Sequence, residues 1–219
     1  MMYRTSVSIM AHPKRAEYVK ELCSRLGHPA YVAWDRNNDR HDTGERALAT
    51  YELAASHHLV LQDDAIPCQD LVAGITSLLP ALPEGVPVSL YTGVYRKFIH
   101  QMNVEYSKEA FNWMVTPGIL WGVGTLIPTS DIPAILRFCQ SRTEPNWDMR
   151  ISRYYEEVKK CGVWAPIPSL VDHRDGPSMI EGRKGGRRAW KFWGEDKSAL
   201  AFPVEQKVKR IELVRTAED

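Results

Sequence analysis

The sequence has little cysteine and almost no net charge. Its four cysteines lie far apart among 219 residues and form no Cys-x-x-Cys pair, so neither a zinc knuckle nor a dithiol redox motif is indicated. The 28 Lys and Arg residues are balanced by 27 Asp and Glu residues. A formal charge of +1 provides no overall attraction to nucleic acid or to an anionic membrane, so any such attraction has to come from a local patch.

Long hydrophobic runs are also missing. The apolar stretch within MMYRTSVSIMAHPKR is too short for a signal-peptide core or a membrane span. We therefore expect a cytoplasmic protein without membrane contact, whose thiols stay reduced. The signatures of a serine hydrolase (G-x-S-x-G), a P-loop NTPase and a zinc protease (H-E-x-x-H) do not occur in the sequence either.

The composition is that of one soluble domain, or of one domain with a small appendage. Apolar residues make up 44% of the chain and charged residues 25%, which excludes collagen-like, coiled-coil and disordered proteins. A chain of this length buries roughly 70% of the surface that its unfolded form exposes. It therefore needs no disulfide or structural metal to form a stable core.

Hydrophobic periodicity predicts alternating strands and helices, and hence an α/β fold. In the first part of the chain we predict strands over Ser6–Met10, Ala30–Trp34 and His58–Gln62, and helices over Lys14–Leu26 and Thr43–Ser56. Further along we predict helices over Gln69–Leu79, Asp131–Gln140 and Trp147–Cys161, strands over Val88–Thr92, Ile119–Pro128 and Val163–Ile167, and some β character over Phe98–Tyr106. The stretch Val204–Val214 fits a strand or a helix.

Polar and charged residues follow the first three predicted strands. Open α/β sheets bind ligands at the carboxyl ends of their strands. These positions hold Ala11, His12 and Arg15 after the first strand, Asp35, Arg36 and Asn37 after the second, and Asp63 and Asp64 after the third. An acidic pair in this position suits Mg²⁺ or Mn²⁺, because hard cations prefer oxygen ligands. A helix N-cap formed by one of the two aspartates is the structural alternative.

The string LVLQDDA resembles the aspartate motif of the GT-A fold glycosyltransferases, especially their short bacterial and phage-type members. The resemblance spans about residues 5–175. Family members carry D-x-D or E-D-D after an apolar strand, and the last acid binds a divalent metal on the diphosphate of a nucleotide sugar. Here Gln62 stands where the first acid is usual. The resemblance implies that Asp64 binds the metal and that Asp63 contacts the sugar or ribose.

Two further segments resemble the same family. The string PSLVDHRDGPSMI places His173 where such enzymes carry a histidine that completes the metal site. The string PNWDMRISRY places Asp148 at the start of a helix whose first acid is the catalytic base of inverting enzymes. If the enzyme is retaining, Asp148 would only orient the acceptor. The structural alternative for Asp148 is a carboxylate that favours the helix dipole.

The resemblance also implies a pocket for the nucleotide sugar. Ala11, His12 and Arg15 would line the base and diphosphate pocket, Asp35 would contact uracil or ribose, Arg36 and Arg46 would lie near the nucleotide, and Trp121 and Gly122 would form the floor of the sugar pocket. For Trp121 a place in the core is an equal alternative, since a large aromatic side chain is often buried there.

Residues 181–193, EGRKGGRRAWKFW, form a basic-aromatic segment. It contains Arg183, Lys184, Arg187, Arg188 and Lys191, interleaved near its end with Trp190, Phe192 and Trp193. Such a segment would suit a lid that closes on the diphosphate. It would equally suit a contact with DNA, where basic residues neutralise phosphates and aromatic rings stack on bases. A plain solvated loop is the third interpretation.

The sequence thus predicts a mixed, mainly parallel GT-A sheet flanked by helices, with a basic C-terminal extension. Residues 1–175 would form the catalytic domain, with a nucleotide-sugar half over 1–66 and an acceptor half over 67–175, and residues 176–219 the extension. We expect Mn²⁺ or Mg²⁺, a UDP-sugar donor and a hydroxyl acceptor, for which a hydroxymethylated base in phage DNA is favoured over a protein or saccharide. The location would then be the host cytoplasm, and the oligomeric state stays open.

Two alternatives belong to other classes. A metal-dependent nucleotidyltransferase would share the acidic pair, but it usually has a glycine-rich loop after the first strand, and AHPKRAEY contains no glycine. A non-catalytic nucleotide-sugar-binding domain is compatible with Gln62 in place of the first acid. The adjacent His57 and His58 are interpreted as structural, because neighbouring side chains point in different directions.

Overall fold

A mixed eight-stranded sheet forms the centre of the fold. The computed structural model describes residues 3–94, 96–175 and 187–212. The strands are β1 (Thr5–Ala11), β2 (Tyr31–Trp34), β3 (His57–Gln62), β4 (Ala65–Pro67), β5 (Val88–Ser89), β6 (Trp113–Thr116), β7 (Gly124–Pro128), β8 (Val163–Pro166), β9 (Val171–His173) and β10 (Val208–Arg210). The helices are α1 (Ala16–Leu26), α2 (Arg40–Leu48), α3 (Leu71–Leu78), α4 (Arg96–Lys108), α5 (Ile132–Gln140) and α6 (Trp147–Arg153), and a π-helical turn, Tyr154–Lys159, continues α6.

The strand order in the sheet is β10-β6-β8-β5-β7-β3-β1-β2, and β4 pairs with β9 in a separate two-stranded ribbon. Four pairings in the large sheet are parallel, namely β1 with β2, β1 with β3, β5 with β8 and β6 with β10. The three pairings β3 with β7, β5 with β7 and β6 with β8 are antiparallel. This confirms the predicted fold class, a mixed and mainly parallel α/β sheet flanked by helices.

Both faces of the sheet are covered, because the central strands are apolar on both sides. In β3 the alternating residues Leu59 and Leu61 belong to one buried cluster and Val60 to the other. Helices α1 and α3 pack on the first face, while α2, α5 and α6 pack on the second. A strand that is buried on both faces has a continuous apolar sequence, which is why the sequence predicts β3 as a strand.

Several predicted boundaries are close to those observed. Helix α1 ends at Leu26 and is capped by Gly27, which adopts a left-handed conformation with φ of 55° that glycine tolerates. The strand predicted over Ile119–Pro128 is β7, which begins only at Gly124 and lies in the middle of the sheet.

Two predictions about elements are wrong. The segment Phe98–Tyr106, expected to have β character, is helical within α4, because Phe98 and Met102 are four residues apart and bury the same helix face in a third apolar cluster. The helix expected over Thr43–Ser56 ends at Leu48. The chain beyond it leads into β3, and Ser56 N–H donates to Arg4 O at 2.9 Å, which extends the pairing of the first and third strands.

The C-terminal part of the described chain is joined to the main sheet. Strand β10 pairs in parallel with β6, Trp190 N–H donates to Thr92 O at 2.8 Å, and Trp193 N–H donates to Ser169 O at 2.9 Å. The division into a catalytic domain and an extension remains a prediction. None of the helices in the described ranges is long and apolar enough to cross a membrane.

Candidate functional site

The topology brings the polar strand ends to one edge of the sheet. Strands β1, β2 and β3 are mutually parallel, so their carboxyl ends share this edge. Strand β7 runs antiparallel to β3, so the residues before it also arrive here, and Gln62 N–H donates to Val123 O at 2.9 Å. Ala11 O accepts a hydrogen bond from Asp35 N–H at 2.7 Å. Ala11, Asp35, Gln62 and Gly122 are therefore gathered at one edge, as the sequence predicts.

The acidic pair lies in the turn between β3 and β4 and is buried. Asp63 is 5% exposed and Asp64 is 3% exposed. Asp63 Oδ2 accepts a hydrogen bond from His12 N–H at 2.7 Å, and Asp63 Oδ1 accepts one from Arg15 Nη1 at 2.8 Å. The same Arg15 nitrogen contacts Asp64 Oδ2. Neither aspartate caps a helix, because α3 begins after Asp70, so the N-cap alternative is excluded.

The ribbon of β4 and β9 brings His173 to Asp64. Ala65 pairs with His173 in an antiparallel register, and Arg174 N–H donates to Asp64 O at 2.8 Å. His173 Nε2 lies 3.3 Å from Asp64 Oδ2. His173 Nδ1 is 2.7 Å from Arg174 O; because a carbonyl oxygen only accepts, Nδ1 carries the proton. Nε2 is then the ring nitrogen that faces Asp64, and in metal-binding histidines it is the nitrogen opposite such a carbonyl-bonded N–H that binds the metal.

These two residues fit a divalent cation. Asp64 Oδ1 is buried and has no hydrogen-bond partner, which is costly for a carboxylate oxygen unless a further ligand satisfies it. Within the described ranges no group of three or more His, Cys, Asp or Glu side chains is placed to hold a metal ion. An ion held by Asp64 and His173 would therefore complete its coordination with diphosphate oxygens and water, which is the usual situation for Mg²⁺ at phosphate sites.

The two carboxyl groups differ in their titration. Burial, and next the charge of Asp64, raises the pKa of Asp63 despite its bonds from His12 and Arg15. Burial also acts to raise the pKa of Asp64, but the contacts with His173 and Arg15 outweigh it and hold this pKa below its usual value. Asp64 is therefore the stronger acid of the two, which suits a metal ligand because a ligand carboxylate has to be deprotonated.

Asp148 lies at the same edge, in the first turn of α6, against Gly122. A Cβ atom on Gly122 would lie 2.8 Å from Asp148 Cβ and 3.1 Å from Asp148 Oδ2, so only glycine allows this approach. Met149 N–H donates to Asp148 Oδ1 at 3.0 Å. The protein packed around the carboxyl group raises the pKa of Asp148, which brings it closer to the value that suits a general base. Its role as catalytic base stays a prediction.

The other residues expected around the nucleotide form local contacts. Asp35 Oδ1 accepts hydrogen bonds from the N–H groups of Asn37 and Asp39 at 3.0 and 3.1 Å. Arg46 donates through Nε to Asp42 at 2.8 Å and through Nη2 to Trp34 O at 2.8 Å, which holds it near the end of β2. Arg36 is exposed. Their roles toward a nucleotide remain predictions.

Trp121 is partly buried in an aromatic cluster beside the site. Its ring is perpendicular to that of Tyr91, with centroids 6.0 Å apart, and packs edge-on against Phe98 at 5.5 Å. The ring of Tyr91 is also 6.3 Å from that of His173. The aromatic cluster thus connects Trp121 with the candidate metal ligand.

The described part of the basic-aromatic segment is anchored to the domain. Trp190 Nε1 donates to Asn103 Oδ1 at 2.9 Å, and its ring is perpendicular to that of Tyr106 at 5.5 Å. Arg188 Nε lies 2.9 Å from Asp172 Oδ2, and Arg187 N–H donates to Asp175 Oδ1 at 3.0 Å. The predicted contact residues Arg183 and Lys184 lie outside the described residues.

Two residues that the sequence analysis passed over hold this arrangement together. Asp172 is 2% exposed and accepts hydrogen bonds from the N–H groups of His173 and Ala189 at 2.8 and 2.5 Å. The buried hydroxyl group of Tyr91 donates to Arg187 O. Tyr91 lies just after β5, but the strand predicted over Val88–Thr92 includes it, so the rule that strand ends carry functional residues did not mark it. Asp172 lies inside a short strand, and no local pattern marks it.

Comparison with known proteins gives similarity to solved structures only. No protein family matches the chain, and no curated protein matches it. The fold is similar to that of a mutant Drosophila β-1,4-galactosyltransferase 7 in complex with manganese, UDP-Gal and xylobiose, with 9% identity, a TM-score of 0.42, and coverage of 82% of this chain and 77% of that one. It is also similar to a glycosyltransferase involved in the glycosylation of the major capsid of PBCV-1, with 14% identity, a TM-score of 0.42, and coverage of 80% and 94%.

Proposed function

We propose that this chain is a GT-A type glycosyltransferase that transfers a sugar from a UDP-sugar to a hydroxyl acceptor with the help of Mn²⁺ or Mg²⁺. The observation that carries the proposal is the buried pair of Asp64 and His173, in which His173 Nε2 faces Asp64 Oδ2 at 3.3 Å and Asp64 Oδ1 has no hydrogen-bond partner. The pair lies at the carboxyl edge of an α/β sheet, where such folds bind nucleotides.

Each residue of the site has a distinct task in this reaction. Asp64 and His173 would hold the ion, which when bound neutralises the charge that develops on the departing diphosphate. Asp63 is held by Arg15 and by His12 N–H, and its position next to Asp64 suits a contact to the sugar or ribose. Asp148 would accept the proton of the attacking hydroxyl group, whose oxygen displaces the diphosphate from the opposite face of the sugar carbon and so inverts it. In a retaining enzyme it would instead orient the acceptor.

The acceptor is the less constrained half of the proposal. A hydroxymethylated base in DNA remains the predicted acceptor, with a protein or saccharide hydroxyl as the alternative. In the described part of the basic-aromatic segment, Trp190 is packed against Tyr106 and bonded to Asn103, which is a structural role. The positive side chains of Arg188 and Lys191 remain partly exposed and are the residues there that a DNA phosphate would meet.

Thermal unfolding tests the proposed binding of the donor. The protein is unfolded with a panel of nucleoside diphosphates and nucleotide sugars, with and without Mn²⁺. The variants are Asp64→Asn and, as a matched control, Asp196→Asn, which alters an exposed aspartate. A ligand at about a hundred times its dissociation constant adds about 2.7 kcal/mol, or about 5–10 °C for a chain of this size. We expect that shift for a UDP-sugar with Mn²⁺ in the wild type and in the control, and its loss in Asp64→Asn.

Either of two results would contradict the proposal. One is the absence of a shift with every nucleotide sugar. The other is a shift of equal size in Asp64→Asn, which would show that the Asp64 carboxylate plays no part in donor binding. Once the donor is known, transfer of its labelled sugar to hydroxymethylated duplex DNA, to unmodified DNA and to simple saccharides decides the acceptor. Labelling of saccharides alone would refute the DNA prediction.

A further inference from the structure

The guanidinium group of Arg15 lies where a divalent ion would meet the acidic pair. Arg15 Nη1 is 2.8 Å from Asp63 Oδ1 and contacts Asp64 Oδ2. This Asp64 oxygen is the same atom that His173 Nε2 approaches to 3.3 Å. The side chain of Arg15 is 13% exposed, and those of Asp63 and Asp64 are 6% and 5% exposed. Solvent therefore screens these charges only weakly.

The positive charge of Arg15 opposes metal binding as long as it stays on Asp64. Arginine does not lose its proton at any physiological pH, so Arg15 cannot become neutral to admit a second cation. Two positive charges on one buried carboxylate repel each other strongly. A metal ion can bind Asp64 tightly only if the guanidinium group leaves it.

The position of Arg15 in the chain allows such a movement. Its backbone is held in the short turn Pro13–Arg15 before α1, with Arg15 N–H bonded to His12 O at 2.8 Å. The long side chain above this fixed point can turn without moving the backbone. A diphosphate is a suitable new partner, because the planar fork of arginine binds phosphate oxygens in pairs.

Resting on the function proposed above, the geometry points to Arg15 as a resident counter-cation that exchanges partners during donor binding. Without donor, Arg15 pairs with Asp64 and keeps the ion out. When ion and nucleotide diphosphate arrive together, Arg15 moves to the diphosphate and Asp64 is released to the ion. The enzyme therefore takes up the ion weakly by itself and far more tightly with the nucleotide. By linkage, the nucleotide strengthens ion binding by the same factor as the ion strengthens nucleotide binding.

Direct titration of the protein with Mn²⁺ alone, followed by the electron paramagnetic resonance signal of the free ion, tests this role. The titrations are repeated with saturating UDP in the same buffer. The variants are Arg15→Gln, Arg15→Lys and Asp64→Asn. Arg25→Gln is the matched control, because Arg25 lies on α1 and its ion pairs with Glu21 and Glu195 are about one-third exposed.

Arg15→Gln is expected to bind Mn²⁺ in the absence of UDP at least about tenfold more tightly than the wild type, because the competing charge is gone. The factor by which UDP strengthens Mn²⁺ binding is expected to fall, since the diphosphate no longer removes a competitor from Asp64. Arg15→Lys keeps the positive charge, but as a point charge that pairs with one carboxylate at a time. Its Mn²⁺ affinity, and the factor by which UDP strengthens it, should therefore lie between those of the wild type and of Arg15→Gln. Arg25→Gln should match the wild type.

The outcomes separate this inference from the proposed function. UDP-dependent Mn²⁺ binding that occurs in the wild type and disappears in Asp64→Asn supports the metal site. If Arg15→Gln then binds Mn²⁺ without UDP no more tightly than the wild type, the counter-cation role of Arg15 is overturned and the metal site stands. If the wild type binds no Mn²⁺ even with UDP, both proposals fall. Thermal unfolding establishes whether each variant is folded. If Arg15→Gln is not folded, the Mn²⁺ affinity of Arg15→Lys decides the question, and an affinity equal to that of the wild type overturns the counter-cation role.

Discussion

Acid is expected to destabilise this protein through two buried histidines. His57 and His58 lie next to each other in β3 and are 5% and 0% exposed. Burial lowers the pKa of each ring to about 4. For His58 the hydrogen bonds agree with a neutral ring: Nε2 lies 3.0 Å from Ala47 O, which only accepts, so Nε2 carries the proton and Nδ1 accepts from the Ser6 hydroxyl group at 2.8 Å.

The sign and the size of the effect follow from proton linkage. In the unfolded chain these rings titrate at about pH 6.5, so between that pH and about pH 4 the unfolded state binds more protons than the folded state. Stability therefore rises with pH across this window and is lost as the pH falls through it. A shift of one pKa unit corresponds to about 1.4 kcal/mol, which makes the loss about 3 kcal/mol for each histidine. Together they approach the whole stability of a typical domain.

Urea unfolding curves at a series of pH values from 7.5 to 4.5, each in about half-unit steps, measure this loss. We expect the free energy of unfolding to fall by about 2 kcal/mol per pH unit in the middle of the window. His58→Gln, whose amide can replace the hydrogen bonds of the ring to Ser6 and Ala47, should remove about half of that slope. The raised pKa values of Asp63 and Asp148 act with the opposite sign and reduce the slope somewhat. A flat profile, or an unchanged slope in His58→Gln, would refute the reasoning.

Two substitutions of closely packed glycines give further expected outcomes. Gly122→Ala would place its Cβ atom 2.8 Å from Asp148 Cβ, and displacement of a candidate base by about half an ångström should lower the rate of donor hydrolysis at least about tenfold with UDP affinity retained. Gly124→Ala is its control, because the new Cβ atom would meet side-chain atoms of Leu61, Val171 and Leu90 no closer than 3.2 Å. An unchanged rate in Gly122→Ala would contradict the role of Asp148. Gly74→Ala would place a Cβ atom 2.2 Å from Ala199 Cβ and 2.6 Å from its carbonyl carbon. Because the backbone there has to move, we expect a loss of about 1–3 kcal/mol in urea unfolding, which an unchanged midpoint would disprove.

Local sequence patterns predict the elements that carry and surround Asp63 and Asp64. The apolar run of β3 and the acidic pair after it are contiguous, so the sequence places Asp63 and Asp64 at a strand end without any tertiary information. The face of α1 formed by Val19, Leu22 and Leu26 follows directly from helical spacing. The segment from Phe98 to Tyr106 was misjudged because its apolar spacing is weak, and only packing against β6 and β8 residues decides for a helix.

The partners of the acidic pair were beyond what local patterns establish. The sequence singled out Asp64 and His173 through resemblance, but it contained no sign that Arg15 lies on the same carboxylate oxygen as His173. Likewise, nothing local marks Asp172, whose carboxylate joins the strand of His173 to residues 188 and 189. These contacts depend on the register of β4 with β9 and on the path of the C-terminal segment.

By itself the sequence determined that the chain forms an α/β domain with carboxylates at the end of a buried strand, because hydrophobic periodicity and strand-end chemistry are properties of neighbouring residues. Only the tertiary structure decided which distant groups meet those carboxylates. That choice comes from the order and direction of the strands, which bring His12, Arg15, Gly122 and His173 to one edge. The charge balance at Asp64 is set there, by one arginine and one histidine from separate parts of the chain.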